Sequence, residues 1–285
     1  LLSRHAGIDM ESHSFFQSSS LDFNLLKGDC LTVIPQLDNN VDMVFADPPY
    51  FLSNDGLTVK NGKIQSVNKG QWDKLISDDE AYDFTYKWLS TVREKMADNA
   101  TLWVSGTHHN IFTLGRILPE LGFKILNVIT WEKTNPPPNF SCRFFTHSTE
   151  FIIWARKYPK IPHYFDYDLM KRLNNDKQMK DVWRLPAIAK WEKSCGKHPT
   201  QKPLALLAQV ILASTQKEAL VLDPFAGSST TGIASSVLGR RFIGIEQETE
   251  YLKLSQARYE DLQNDGRKEF FRQHFYRLLN KEDSN

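Results

Sequence analysis

The chain has 285 residues, 41% of them hydrophobic and 24% charged, with a formal net charge of +1. That is ordinary globular composition, long enough for one large domain or one domain with a sizeable insertion. It excludes a strongly basic polycation and a chain too polar to bury a core, and no apolar run approaches the ~18 residues of a membrane-spanning helix.

Residues 1–20 are polar, begin without Met, lack the apolar core of a signal peptide, and read as a terminal segment that could include part of a tag. The run 41–46 (VDMVFA) stops at Asp47-Pro48-Pro49-Tyr50 and reads as a buried parallel strand ending in a loop. Residues 51–71 are rich in Asn, Gly, Ser and Lys, the composition of a mobile loop over a site. A helix is expected over 79–96, a strand over 101–105, a helix over 110–121, and strands over 125–131 and 151–155. Between the last two and beyond, residues 133–199 are basic, aromatic and punctuated by Pro, with a helix expected only over 168–179. Helices over 203–214, 229–238 and 248–262 then alternate with strands over 220–222 and 242–245. Strands alternating with helices of this length predict an α/β fold with a doubly wound, mostly parallel sheet.

Charge is unevenly spread. Residues 124–203 hold 15 Lys and Arg against 7 Asp and Glu, so +8, and the remainder carries −7. A basic section between acidic ends is either the footprint of a phosphate backbone or a solvated surface.

Two loops carry chemistry. Residues 221–232 (VLDPFAGSSTTG) place Asp223 and a small-residue turn between a strand and a helix, where open α/β sheets bind ligands. About 20 residues on, the next strand ends in Glu246, placed to hydrogen-bond ribose hydroxyls. The loop lacks the Lys-Ser/Thr of a phosphate cradle, and Asp223 would repel phosphate, so a nucleoside without phosphates such as S-adenosylmethionine suits it better than a structural turn does. The second loop is Asp47-Pro48-Pro49-Tyr50. Its two prolines fix two φ angles, so acceptors are held rigidly. The Asp47 carboxylate and Pro48 carbonyl could favour a tetrahedral purine amino nitrogen, and Tyr50 offers a face for an extruded base. A plain strand-ending turn is the competing reading.

With those motifs in place, the sequence resembles the amino-methyltransferases of DNA restriction–modification systems in the circularly permuted β-type order. The likeness runs from about residue 25 to residue 262 and includes Gly28-Asp29-Cys30 and 198–203 (HPTQKP). It implies that Asp47, Pro48, Pro49 and Tyr50 hold the target amino group, with Asp47 also bordering the cofactor. It implies that Asp223, Phe225, Ala226, Gly227, Ser228 and Ser229 line the cofactor, that Glu246 holds its ribose and that Asp29 and Cys30 flank its adenine. Thr200 and Lys202 would lie near its methionine carboxylate. Asp at the first motif position implies adenine N6, where cytosine N4 enzymes usually carry Ser. One departure is Ser229, where the family loop has a second glycine. If that position needs positive φ, the cost is on the order of 1 kcal/mol.

The stretches 133–139 (KTNPPPN), 143–150 (RFFTHSTE) and 175–183 (NDKQMKDVW) resemble adenine methyltransferases that read GATC or GANTC. Residues 141–148 (SCRFFTHS) favour the accessory GATC enzymes of pneumococcal-type systems over HinfI-like GANTC enzymes, whose extra C-terminal domain is not expected here. Lys133, Asn135, Arg143, Lys177 and Arg184 are candidates for phosphate or base-edge contacts. The resemblance implies DNA as partner, duplex before single strand, a homodimer, and a cognate nuclease encoded nearby. Trp131, Trp154, Trp183 and Trp191 are read as core before base-stacking. His108 and His109 have no ligand-spaced partner, and three scattered cysteines (Cys30, Cys142, Cys195) form no CxxC pair, so no metal or disulfide is expected and a reduced cytoplasmic setting fits.

The expected division is a terminal segment 1–20, a catalytic half 21–132, a target-recognition insertion 133–197, a cofactor half 198–265 and a tail 266–285. Competing readings are cytosine-N4 or RNA methylation by a similar site, and a DNA-binding regulator that has kept the fold without the chemistry.

Overall fold

The computed structural model describes residues 12–38, 40–50, 56–60, 63–67, 77–136, 138–139, 142–196 and 198–279. Of the expected segments, residues 1–11 of the terminal segment, most of the loop 51–71 and residues 280–285 of the tail lie outside them.

In chain order the elements are β1 (Ser14–Gln17), β2 (Phe23–Lys27), the short α1 (Cys30–Val33), β3 (Val41–Ala46), a hairpin of β4 (Gly56–Lys60) and β5 (Lys63–Val67), and α2 (Asp78–Lys95). There follow β6 (Met96–Gly106), α3 (Ile111–Glu120), β7 (Lys124–Lys133), β8 (Thr149–Arg156), α4 (Tyr167–Arg172) and β9 (Val182–Leu185). The chain then alternates α5 (Leu204–Ser214), β10 (Leu220–Asp223), α6 (Thr230–Val237), β11 (Arg241–Glu246), α7 (Thr249–Leu262) and α8 (Arg267–Leu279).

Nine strands form one sheet in the order β1-β2-β11-β10-β3-β6-β8-β7-β9, parallel from β2 to β6 and antiparallel on both sides of β8. Alternate side chains feed two cores, because successive Cβ atoms point to opposite faces. Met43, Phe45, Trp103, Val221, Ile152 and Trp154 join α5 to α8 on one face. Val44, Ala46, Leu102, Val104, Leu222, Ile153 and Ala155 meet α2 and α3 on the other. The doubly wound α/β sheet expected from the alternation is the fold the chain forms. α5 is buried along its whole length, as a helix apolar on every side must be. α2 starts on a reciprocal cap between Ser77 and Glu80 and ends with Arg93 and Lys95, both favourable to the helix dipole.

Several elements differ from expectation. The helix expected over 168–179 stops at Arg172, because Asn175 and Asp176 take left-handed φ of 53° and 57° and the Asn174 amide donates to the carbonyls of Lys177 and Gln178. That local competition ends helices. Residues 267–279, read as part of a tail, form α8. Its many charges hide Phe271 and Phe275, which pack one turn apart into the core. Residues 14–17, read as part of a polar segment, pair with β2. Residues 133–197, read as an insertion, supply β8 and β9 to the main sheet. Among the described residues, no helix is long and apolar enough to cross a membrane.

Candidate active site

The carboxyl ends of β3, β10 and β11 open onto one cavity of about 290 Å³, where doubly wound sheets place ligands. Its wall includes Cys30, Asp47, Pro49, Thr200, Lys202, Asp223, Phe225, Ala226, Gly227, Ser228 and Glu246. Sequence positions far apart are therefore brought together.

The loop after β10 is held from both sides. Gly227 has φ +51°, and a Cβ there would meet the His198 ring at 3.0 Å. Its N–H donates to Glu246 Oε2 at 2.9 Å, while Glu246 Oε1 accepts from the N–H groups of Gln247 and Glu248, each at 2.8 Å. Burial pushes the Glu246 carboxyl up despite these bonds. Asp223 accepts from Phe225 N–H at 3.0 Å and from the Thr231 hydroxyl at 2.6 Å. Burial dominates there and raises its carboxyl to about 7. The Phe225 ring meets Trp88 edge-on at 5.2 Å.

Ser229 does adopt the left-handed conformation, φ 54° and ψ 40°. It points away from the cavity: its hydroxyl donates to Ser255 Oγ at 2.9 Å, and Ser255 donates to the Gly227 carbonyl at 3.0 Å. The buried Arg258, lowered to about 10 by burial, adds bonds to the Ser228 carbonyl and to the hydroxyls of Ser228 and Thr230. Helix α7 thus clamps the loop that a second glycine would otherwise relax. Ser229→Ala keeps the left-handed Cβ and loses the bond, so urea titration should show a loss of about 1 kcal/mol. Ser229→Gly loses the bond but also the strain and should lie closer to wild type.

Asp29 caps α1 through Leu31 N–H at 2.7 Å and is held by the Gln247 amide at 3.0 Å. Its neighbours Gly28 and Cys30 line the cavity, and Asp29 itself is not part of that lining. Burial raises the Cys30 thiol to about 12, which removes it as a nucleophile.

The Asp47 carboxylate is ringed by donors. Oδ1 accepts from Tyr50 OH at 2.7 Å and from the Ser105 hydroxyl, and Oδ2 accepts from Lys202 Nζ at 2.6 Å. Burial works against its charge, but the Lys202 ammonium and these hydrogen bonds outweigh it and hold the carboxyl below its usual range. Burial likewise disfavours the Lys202 charge, yet Asp47, Tyr50 and Glu150 keep it firmly protonated. Lys202 Nζ is also 3.6 Å from Glu150 Oε2, so the cation that the resemblance assigns to a methionine carboxylate lines the cavity while paired with two protein carboxylates. His198 is pushed down to about 4, chiefly by burial, and is neutral at pH 7.

Ser105, Ser255 and Arg258 lie outside every sequence motif, and His198 and Glu150 fall within the motifs 198–203 and 143–150 without a role assigned to them there. Ser105 was the most accessible of them: β6 pairs with β3 in parallel, so the residue after Val104 sits beside Asp47. No motif marks Ser255 or Arg258.

The candidate DNA contacts divide. Lys133 is paired with Glu150, Arg184 with Glu132 at 3.1 Å, and Asn135 accepts from Ala187 N–H at 3.3 Å. Arg143 and Lys177 are exposed, as are the neighbouring Phe144 and Phe145, the latter 95% so. Trp131, Trp154 and Trp183 are buried in the core, and Trp191 packs on Phe270 and Phe271.

Comparison with known proteins places these observations. A family model described as DNA methylase matches residues 41–257. The chain is 61% identical over 254 residues to the type II methyltransferase M2.MboI of Moraxella bovis, covering 89% of this chain and 93% of that protein. It is 56% identical over 222 residues to M2.DpnII of Streptococcus pneumoniae, covering 78% and 83%. Among solved structures, the M1.HpyAVI–SAM complex aligns with a TM-score of 0.64 at 29% identity, over 83% of this chain and 98% of that one. The cytosine-N4-specific PvuII DNA methyltransferase aligns with a TM-score of 0.69 at 20% identity, over 95% and 96%, a likeness of fold alone.

Proposed function

The chain belongs to the DNA methylase family, and from that premise we propose that it transfers a methyl group from S-adenosylmethionine to N6 of adenine at GATC sites, as the methylating arm of a type II restriction–modification system. The observation that carries the reading is the single cavity that joins the clamped loop 223–230 and Glu246 to Asp47. A homodimer, a nearby cognate nuclease and a cytoplasmic setting belong to the same proposal.

The cavity's chemistry fits the cofactor. Glu246 ends β11 with its carboxylate oriented by three backbone donors, as a ribose-holding acid needs to be. Asp223, reluctant to ionise alone, suits a cationic ligand. Phe225 and Cys30 give an apolar wall for an adenine. When bound, S-adenosylmethionine supplies an electrophilic methyl group on a sulfonium.

The protein's part is positioning and electrostatics. A purine amino nitrogen is a poor nucleophile because its lone pair is delocalised. Hydrogen bonds from that amino group to Asp47 and to the Pro48 carbonyl favour a tetrahedral nitrogen whose lone pair faces the methyl carbon. The Cys30 thiol, raised to about 12 by burial, stays protonated at pH 7 and offers no thiolate for a covalent step. Arg143, Lys177, Phe144 and Phe145 present charge and apolar surface to a duplex whose target base is turned out, at a cost of a few kcal/mol.

Asp223 makes cofactor binding pH-dependent. Its folded value near 7 exceeds the unfolded ~3.9, so the folded state binds the extra proton between the two. Its contribution to cofactor-free stability therefore falls as pH rises from about 4 to 7. A bound cation favours the ionised form, so affinity for S-adenosylmethionine should tighten from pH 6 to 8, by up to about tenfold per unit below the transition. Calorimetry across that range checks it, and Asp223→Asn should flatten the dependence.

The site itself is tested with duplexes that contain GATC, GANTC or neither. Acceptance of label by GATC duplexes alone supports the assignment, and equal labelling of all three removes it.

A further inference from the structure

Lys202 lies between two carboxylates: its Nζ is 2.6 Å from Asp47 Oδ2 and 3.6 Å from Glu150 Oε2. The two oxygens of Glu150 are not equivalent. Oε1 accepts from Lys133 Nζ, whereas Oε2 is fully buried and accepts no hydrogen bond within the described residues. A buried acceptor without a hydrogen bond is costly, and here the Lys202 ammonium at 3.6 Å offers it charge but no hydrogen bond. Glu150 is also rigidly placed, since it pairs with Trp131 on β7 at the start of β8, where the next residue, Phe151, faces Gly106 of β6. It stands outside the lining of the cofactor cavity, which Lys202 and Asp223 both join.

Asp47 presents the complementary problem. Oδ1 already takes Tyr50 and Ser105, and Oδ2 takes Lys202. An incoming amino group would have to share Oδ2 with Lys202, and a carboxylate oxygen already bonded to an ammonium is a weaker acceptor for a second donor. Releasing a buried ammonium without a partner is prohibitive. A shift of about 1 Å instead brings Lys202 within charge-assisted hydrogen-bond distance of Glu150 Oε2.

We propose that Glu150 is a positioning residue that takes Lys202 off Asp47 when the target amino group enters. The inference rests on the methyl-transfer reading above. It links base entry to reactivity, because Asp47 freed from the ammonium is a stronger acceptor. The nitrogen lone pair then forms the N–C bond as the S–C bond breaks, with that bond pair left on sulfur. The nitrogen gives one proton to Asp47 Oδ2, which passes it to water, and Lys202 remains protonated on Glu150 throughout.

Glu150→Gln tests it in the full chain, since the amide keeps the shape and a bond to Lys133 but loses the charge. Labelled methyl transfer should show kcat lowered about tenfold or more, with KM for a GATC duplex and affinity for S-adenosylmethionine within about twofold. Wild-type kcat in the variant overturns the proposal, and so does a loss that lies wholly in KM. Wild-type protein that labels no DNA overturns the underlying reading instead. If the variant does not fold, a structure of the wild-type chain with a GATC duplex and S-adenosylhomocysteine decides. Lys202 bonded to Glu150 Oε2, with the amino group on Asp47, supports it; Lys202 still on Asp47 Oδ2 overturns it.

Discussion

Asp47→Asn should lower methyl transfer by at least about a hundredfold, towards a thousandfold, while S-adenosylmethionine binds nearly as before. The substitution keeps volume and one carbonyl acceptor, so the change isolates the charge. In the proposed reaction Asp47 would meet the reacting nitrogen, whereas the loop 223–230 and Glu246 line the cavity proposed for the cofactor. The same change leaves the Lys202 ammonium with Glu150 alone at 3.6 Å. Breaking a buried pair costs about 3–5 kcal/mol when no partner remains, so a loss at or below the lower end is expected in urea titration. Activity and affinity must therefore be read at a temperature where the variant is folded. Retention of a tenth of wild-type turnover would mean that the Pro48 carbonyl and geometry suffice.

Gly232→Ala should be among the most destabilising single changes in the cofactor half. A Cβ at this position in α6 would lie 2.5 Å from the rings of both Phe23 and Phe242. Neither ring is exposed, and Phe23 is stacked on Tyr259 at 4.5 Å, so no flexible end can give way. Alanine gains about 1 kcal/mol in helix propensity, but overpacking of this kind costs about 1–3 kcal/mol and at times more. A net loss of about 2 kcal/mol by denaturant titration is expected. Gly115→Ala is the control. It sits within α3 with nothing within 4 Å of the new Cβ, and should stabilise by up to about 1 kcal/mol.

These two sites show what could be read from residue order. Asp47 and Glu246 sit at strand ends, and Gly227 in the loop after one, all located by periodicity and turn chemistry, so their convergence follows from a parallel sheet. The β8 strand was visible as an apolar run, yet its antiparallel place between β6 and β7 was not, because pairing partners leave no local trace. Glu150 owes its position to that placement alone. Ser255 and Arg258 contribute through α7, one turn of a helix whose role in clamping Ser229 depends on how it crosses the loop. α8 was missed for a compositional reason: Phe271 and Phe275 lie among charged neighbours that read as solvent-exposed.

The central claim is tested most directly by incubating the protein with S-adenosylmethionine labelled on its methyl group and duplex DNA, then digesting to nucleosides and separating them. Label is expected in N6-methyl-2′-deoxyadenosine and not in N4-methyl-2′-deoxycytidine. Label in the cytosine product, or none in DNA while cofactor binding is intact, would contradict it.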